Sequence, residues 1–156
     1  MTDPVHGLGH VIHPDLAKAY REALYFVHGE DGDIQLRVDQ TSLELASLMK
    51  DRSAKSAAFL TAFNPHSILG VAEVNLSNHN ALIADVYALG LRSISGDGGD
   101  PLRLWPSEPS ILVLGISHQN AELLAGRYGQ NAYLWIGGDD GLVNLNLRYS
   151  VRGLLQ

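Results

Sequence analysis

The residues best suited to chemistry fall at two strand ends and in one long loop. Asn64 precedes Pro65 at the end of the apolar run 56–63, and Gln130 and Asn131 follow the glycine at 129, just before the apolar run 132–136. Amide side chains both donate and accept, so Asn64, Gln130 and Asn131 at one sheet end would read a polar ligand through paired hydrogen bonds. Ser117 and His118 are expected close to them. Trp105, Ser107 and Glu108 sit in a loop between the turn-like segment 96–101 and the apolar run 110–117. Long loops without secondary structure are usually functional or disordered. Glu108 is the candidate catalytic acid or base, because a carboxyl that Trp105 shields from water has a raised pKa. Each residue also has a purely structural reading. Asn before Pro caps strand ends, amides commonly follow a helix-ending glycine, and a Trp pins a loop to the core.

Other chemistry finds less support. His6, His10 and His13, with His28 or Asp15, have donor types that zinc accepts. Spacing alone does not build a tetrahedral shell, and His13 is fixed before Pro14, so no metal site is expected. Gly96-Asp97-Gly98-Gly99-Asp100 lacks a closing bidentate Glu and reads as a turn, not a calcium loop. No Gly-Lys-Ser/Thr phosphate loop and no Gly-x-Ser-x-Gly elbow occurs. The absence of Cys excludes thiolate nucleophiles, disulfides and Cys-ligated metals. The sequence specifies no cofactor.

These residues need a scaffold, and the composition provides for one. The chain has 156 residues, 46% of them hydrophobic, which suits one ordinary domain. Lys and Arg total 11 against 17 Asp and Glu, and the basic residues are scattered apart from Lys50, Arg52 and Lys55. Neither nucleic acid nor an anionic membrane surface is therefore an expected partner. The longest apolar run, 111–116, is strand-sized, whereas a membrane-crossing helix needs about 20 residues. The first residues lack the basic and apolar regions of a signal peptide, so the expected location is cytoplasmic.

Residues 1–12 read as an irregular arm and 13–156 as a single α+β domain. Pro14 and Asp15 open a helix that Leu16, Tyr20, Ala23, Leu24 and Val27 carry to Gly29. Residues 34–38 alternate as a strand, and Thr41 with Glu44 forms a capping box for a short helix reaching Arg52. There follow a buried strand (56–63), a helix (about 75–89, with Leu82, Ile83, Val86 and Leu89 inward) and a short strand (91–95). After the loop come a buried strand (110–117), a helix from Ser117 to Gly129, a strand (132–136) and an edge strand (142–147). From about 57 to 136 this is the split β-α-β-β-α-β pattern of ferredoxin-like folds, a two-layer sandwich. An N-terminal helix-strand-helix and the C-terminal edge strand extend it. An open parallel Rossmann-like sheet is the alternative, and two consecutive strands without an intervening helix argue against it. In this reading the first and third core strands run parallel and the fourth runs opposite. That places Asn64 beside Gln130 and sends the Glu108 loop to the other sheet end, unless the loop folds over a face.

Three blocks in this order carry a resemblance: Ala58-Phe59-Leu60-Thr61-Ala62-Phe63-Asn64-Pro65, Trp105-Pro106-Ser107-Glu108-Pro109-Ser110, and Tyr128-Gly129-Gln130-Asn131-Ala132. Together they resemble the signature of a small bacterial family of unknown function, over about residues 18–145. The sequence departs from it at Pro109 and in its His-containing arm. The resemblance implies no activity; it marks Asn64, Trp105, Glu108, Gln130 and Asn131 as the polar positions of interest. The reading that results is a cytosolic binding or regulatory module for a small polar ligand, pairing as a homodimer through an edge strand or sheet face. The alternative is an enzyme acting on a small polar or nucleotide-like metabolite. Glu108 would be its acid/base, Asn64 and Gln130 would orient substrate, and Trp105 would stack or exclude water.

Overall fold

The computed structural model describes residues 10–102 and 106–153. The chain starts with α1 (Pro14–Glu22), whose N-cap His13 accepts the backbone N–H of Asp15 on Nδ1 at 3.0 Å. This helix is shorter than expected. From Leu24 the sequence turns aromatic and β-branched (Leu24-Tyr25-Phe26-Val27), which suits a pleated surface better than a helix. The result is β1 (Leu24–Gly29), joined through Glu30-Asp31 to β2 (Gly32–Leu36) in an antiparallel hairpin that pairs Gly29 with Gly32. Helix α2 (Leu43–Asp51) follows. Its cap is Ser42, which accepts from the Leu45 N–H at 3.1 Å, and not Thr41.

The remaining elements are β3 (Ala57–Leu60), a single 3-10 turn (Pro65–Ser67), α3 (Ala72–Ala88), β4 (Ser93–Gly99), β5 (Glu108–Leu114), α4 (His118–Arg127), β6 (Ala132–Ile136) and β7 (Asn144–Leu147). The seven strands form one sheet in the order β2-β1-β4-β5-β3-β6-β7, and every neighbouring pair is antiparallel. The class is mixed α+β. The parallel alternative is thereby corrected, and so is the expectation that β3 and β5 run parallel: Ala57 pairs with Leu114 and Leu60 with Ile111.

The expected two layers are also corrected, because helices cover both faces. Leu82 and Val86 of α3 and Leu124 and Ala125 of α4 pack against Ala58, Leu60, Ile111 and Val113. On the opposite face Leu45 and Met49 of α2 join Val27, Leu36, Phe59, Leu112 and Leu134. Every residue of β3 is consequently buried, which explains why it reads as a continuous apolar run. Among the described residues no helix is long and apolar enough to cross a membrane.

The segment read as the turn 96–101 is largely strand. A Cβ on Gly96 would lie 2.3 Å from the Phe26 carbonyl oxygen and 2.9 Å from Cε1 of Phe59. On Gly98 it would lie 2.8 Å from Cδ1 of Tyr25. These glycines are there because a neighbouring backbone and two aromatic rings leave no room, not because the chain turns.

Candidate functional site

Because β5 runs antiparallel to β3, it enters the sheet where β3 leaves. Glu108, its first residue, therefore arrives at the same sheet end as Asn64. The Asn64 Nδ2 donates to Glu108 Oε2 at 2.7 Å. The expectation that the topology sends Glu108 to the other end is thus corrected. Ser117 and His118 are the pair that end there instead. Ser117 caps α4, and the His118 ring meets Trp135 edge-on at 4.8 Å between centroids.

Period-two alternation aims one set of side chains at a common space. Phe59 and Thr61, Glu108 and Ser110, and Gln130, Ala132 and Leu134 all line a cleft of about 650 Å³. Helix α1 forms its opposite wall with Leu16, Ala19 and Tyr20, and Tyr25 closes one side. The cleft is apolar and aromatic along its length and polar at the end where Thr61, Asn64, Glu108 and Gln130 meet.

The polar end is held by an amide pair. Asn64 Oδ1 accepts from Asn75 Nδ2 at 2.8 Å and from the Gly70 N–H at 2.9 Å. Asn75 Oδ1 in turn accepts the Asn64 backbone N–H at 3.0 Å. Asn75 is 4% exposed. It shares the inward stripe of α3 with Leu82 and Val86, a polar residue at spacings of seven and eleven along a buried helix face. That position is the signal by which sequence reading would have found it.

Asn64 has φ 50° and ψ 63°, and His66 and Ser67 also have positive φ, 59° and 61°. Three left-handed non-glycine residues in one loop are strained, and contacts from several elements hold them. The His66 N–H donates to the Gly129 carbonyl at 2.7 Å, and the hydroxyls of Ser67 and Tyr20 are hydrogen-bonded. Asn131 Nδ2 donates to the Tyr20 hydroxyl at 3.2 Å, and Asn131 Oδ1 meets His10 Nε2 at 3.0 Å. Tyr20, expected only as a core residue of α1, is thereby part of the site.

Electrostatics single out Glu108. Burial pushes its carboxyl pKa up, and the hydrogen bond from Asn64 opposes that shift. Among the described residues no basic side chain pairs with it. Burial also raises the hydroxyl pKa of Tyr20 and Tyr25, so both stay neutral donors at physiological pH.

Of the expected site residues, Asn64, Glu108 and Gln130 line the cleft together. Gln130 is also structural: its Nε2 donates to the carbonyls of Phe63 at 3.0 Å and Tyr128 at 3.2 Å. Asn131 does not line the cleft and braces Tyr20 instead. Trp105 lies outside the described residues, as does His6. His13 caps α1, and the His10 ring packs on Tyr149 at 3.9 Å between centroids. Among the described residues no three His, Cys, Asp or Glu side chains converge on a metal position.

The segment that carries Asn64, Asn75, Glu108, Gln130 and Asn131 is also the segment that matches a family model. Residues 60–133 match the family described as "Protein of unknown function (DUF3293)". The match covers just under half of the 156-residue chain and is narrower than the span of about 18–145 expected from sequence blocks. It begins in β3 and ends in β6, so it contains the polar end of the cleft but not the α1 wall. No curated protein and no solved structure matches the chain.

Proposed function

We propose that the protein is a binding module that takes a small organic ligand into the cleft beneath α1. The observation that carries this reading is one cavity of about 650 Å³ with aromatic walls, ending on a half-buried carboxyl that an amide pair holds in place. Ligand sites are typically concave, mostly apolar and about 300–1,000 Å³, with a few convergent polar groups. Thr61, Asn64, Glu108 and Gln130 are those groups here. The α3 and α4 layer over β4-β5-β3-β6 is read as a ferredoxin-like split β-α-β-β-α-β unit of a bacterial, cytoplasmic protein, with the β1–β2 hairpin, α1, α2 and β7 as additions. Pairing of two copies through the edge strands β2 or β7 belongs to the same reading.

The test uses Ala19, an exposed α1 residue on the cleft wall. Ala19→Trp fills the cleft with little demand on the core. Fragments that bind the wild type by ligand-observed NMR should lose binding to this variant. A library without a single hit, or hits indifferent to Ala19→Trp, overturns the reading.

One observation favours a catalytic reading. Glu108 combines a raised pKa with direct access to the cavity, which is how a general acid or base is prepared near neutral pH. Turnover of a bound ligand that Glu108→Gln abolishes, with binding retained, would establish it. Binding without turnover leaves the module reading in place.

A further inference from the structure

The charges around the cleft say what kind of ligand it takes. Asp15, Glu22 and Glu108 line it, and so does Asp100 at its rim, where the carboxylate accepts the Leu102 N–H at 2.9 Å. No Lys or Arg lines it among the described residues. Asp15 and Glu22 are exposed and Asp100 is half-buried. Glu108 lies at the polar end, where among the described residues its carboxylate accepts from a neutral donor, the Asn64 amide. A carboxylate withdrawn even partly from water gains from pairing with a cation, because desolvation without compensation is costly. This one has no basic partner among the described residues, and it faces open space.

The walls complete the description. The rings of Tyr20, Tyr25 and Phe59 line the space that leads to Glu108, and Tyr25 and Phe59 meet edge-to-face at 5.7 Å between centroids. Aromatic faces attract cations and accept apolar bodies equally well. Phosphates and carboxylates would instead meet four carboxylates and no described Lys or Arg, which disfavours a nucleotide.

Resting on the reading of the cleft as a ligand site, we infer that its ligand is an organic cation, an ammonium group on an apolar or aromatic body. The ammonium sits against the Glu108 carboxylate and the body lies along Tyr20, Tyr25 and Phe59. The ammonium donates to Glu108 while Asn64 keeps its own hydrogen bond to the same carboxylate. That leaves the amide pair with Asn75 undisturbed.

The experiment compares three probes of nearly equal shape: phenethylammonium, 2-phenylethanol and 3-phenylpropanoate. Each is titrated at neutral pH, by NMR chemical-shift changes, into the wild type, Glu108→Gln and Ala19→Trp. Glu108→Gln keeps an acceptor for Asn64 and should fold. Phenethylammonium is expected to bind the wild type about tenfold or more tightly than the alcohol, with the carboxylate weakest. Glu108→Gln should remove that preference, and Ala19→Trp should weaken all three. Equal binding of the three probes, a preference for 3-phenylpropanoate, or a preference that survives Glu108→Gln overturns the cation assignment. If Ala19→Trp still abolishes binding in those cases, the cleft remains a ligand site of different selectivity. If no probe binds the wild type, or binding ignores Ala19→Trp, both this inference and the cleft reading fail.

Discussion

Replacing Asn75 with Ala removes the side chain that holds Asn64 at the polar end. Asn75 is 4% exposed and gives Asn64 two hydrogen bonds, one through each side-chain polar atom, at 2.8 and 3.0 Å. Neutral hydrogen bonds contribute about 1 kcal/mol each, and a buried donor left without a partner costs about 1–3 kcal/mol. The Asn64 N–H is such a donor once the Asn75 carbonyl oxygen is gone. The loop relaxes partly, so the contributions do not add in full, and the expected loss is about 3 kcal/mol. For a domain of this size each kcal/mol lowers Tm by about 2–4 °C, so Asn75→Ala should melt about 6–12 °C lower. Scanning calorimetry and urea unfolding read this directly. Asn75→Asp should also destabilise, because it keeps the acceptor for the Asn64 N–H but turns the donor that faces Asn64 Oδ1 into a second acceptor. A second readout is the Glu108 carboxyl, followed by carbon-detected NMR. When Asn64 is no longer held, the hydrogen bond that lowers the Glu108 pKa weakens, and its titration should move further up. A Tm change under about 2 °C with an unmoved Glu108 titration would show that Asn75 does not position Asn64.

Three further outcomes follow from the same geometry. The folded-state pKa of Glu108 lies above its unfolded value, so its contribution to stability is present below the unfolded carboxyl value and is lost as pH rises through the folded one. Glu108→Gln should accordingly match the wild type near pH 4 and be the more stable protein at pH 7.5, and a less stable variant at pH 7.5 would contradict the burial account. Gly96→Ala places a methyl 2.3 Å from the Phe26 carbonyl oxygen, so β1 and β4 must separate; urea unfolding should give a loss of about 3 kcal/mol or more, and a loss under about 1 kcal/mol would refute the crowding. The Arg148 side chain is 8% exposed and donates to Glu122 Oε2 at 2.6 Å and to the Gln130 carbonyl at 2.8 Å. Glu122 is 41% exposed and screened by water, so the carbonyl bond and lost packing dominate, and Arg148→Ala should cost about 2 kcal/mol by denaturant titration. A variant within about 0.5 kcal/mol of the wild type would remove Arg148 from the support of the Gln130 strand end.

What sequence reading found and missed divides along physical lines. Elements with local signals were legible: Ser117 as the cap of α4, the buried run of β3, the strand β6 and the edge strand β7. Asn64, Glu108 and Gln130 were legible as polar residues beside apolar strands, and they do line one cleft. The relation between them was not legible, because strand direction is set by pairing across the sheet and not by any residue in the strand. Once β3 and β5 are antiparallel, Glu108 reaches Asn64 without any folding over of its loop. The β1 half of the β1–β2 hairpin was hidden for a different reason: Leu24 and Val27 continue the helical spacing of Leu16 and Tyr20, and this masked the strand-forming composition of the same residues. The glycines of β4 misled because glycine marks both turns and crowded strands, and the crowding comes from Phe26, Phe59 and Tyr25, which are remote in sequence.

The left-handed residues Asn64, His66 and Ser67 set durability against usefulness. Glycine at any of these positions would relax the backbone, and selection for robustness alone would place it there. At 64 it would delete the amide that donates to Glu108, and at 67 one of the two hydrogen-bond partners of the Tyr20 hydroxyl among the described residues. A ligand that presses on Glu108 or Tyr20 therefore acts on a loop already held above its resting energy by the surrounding structure. An engineer seeking a hardier scaffold and one seeking a sharper receptor would mutate the same short stretch in opposite directions.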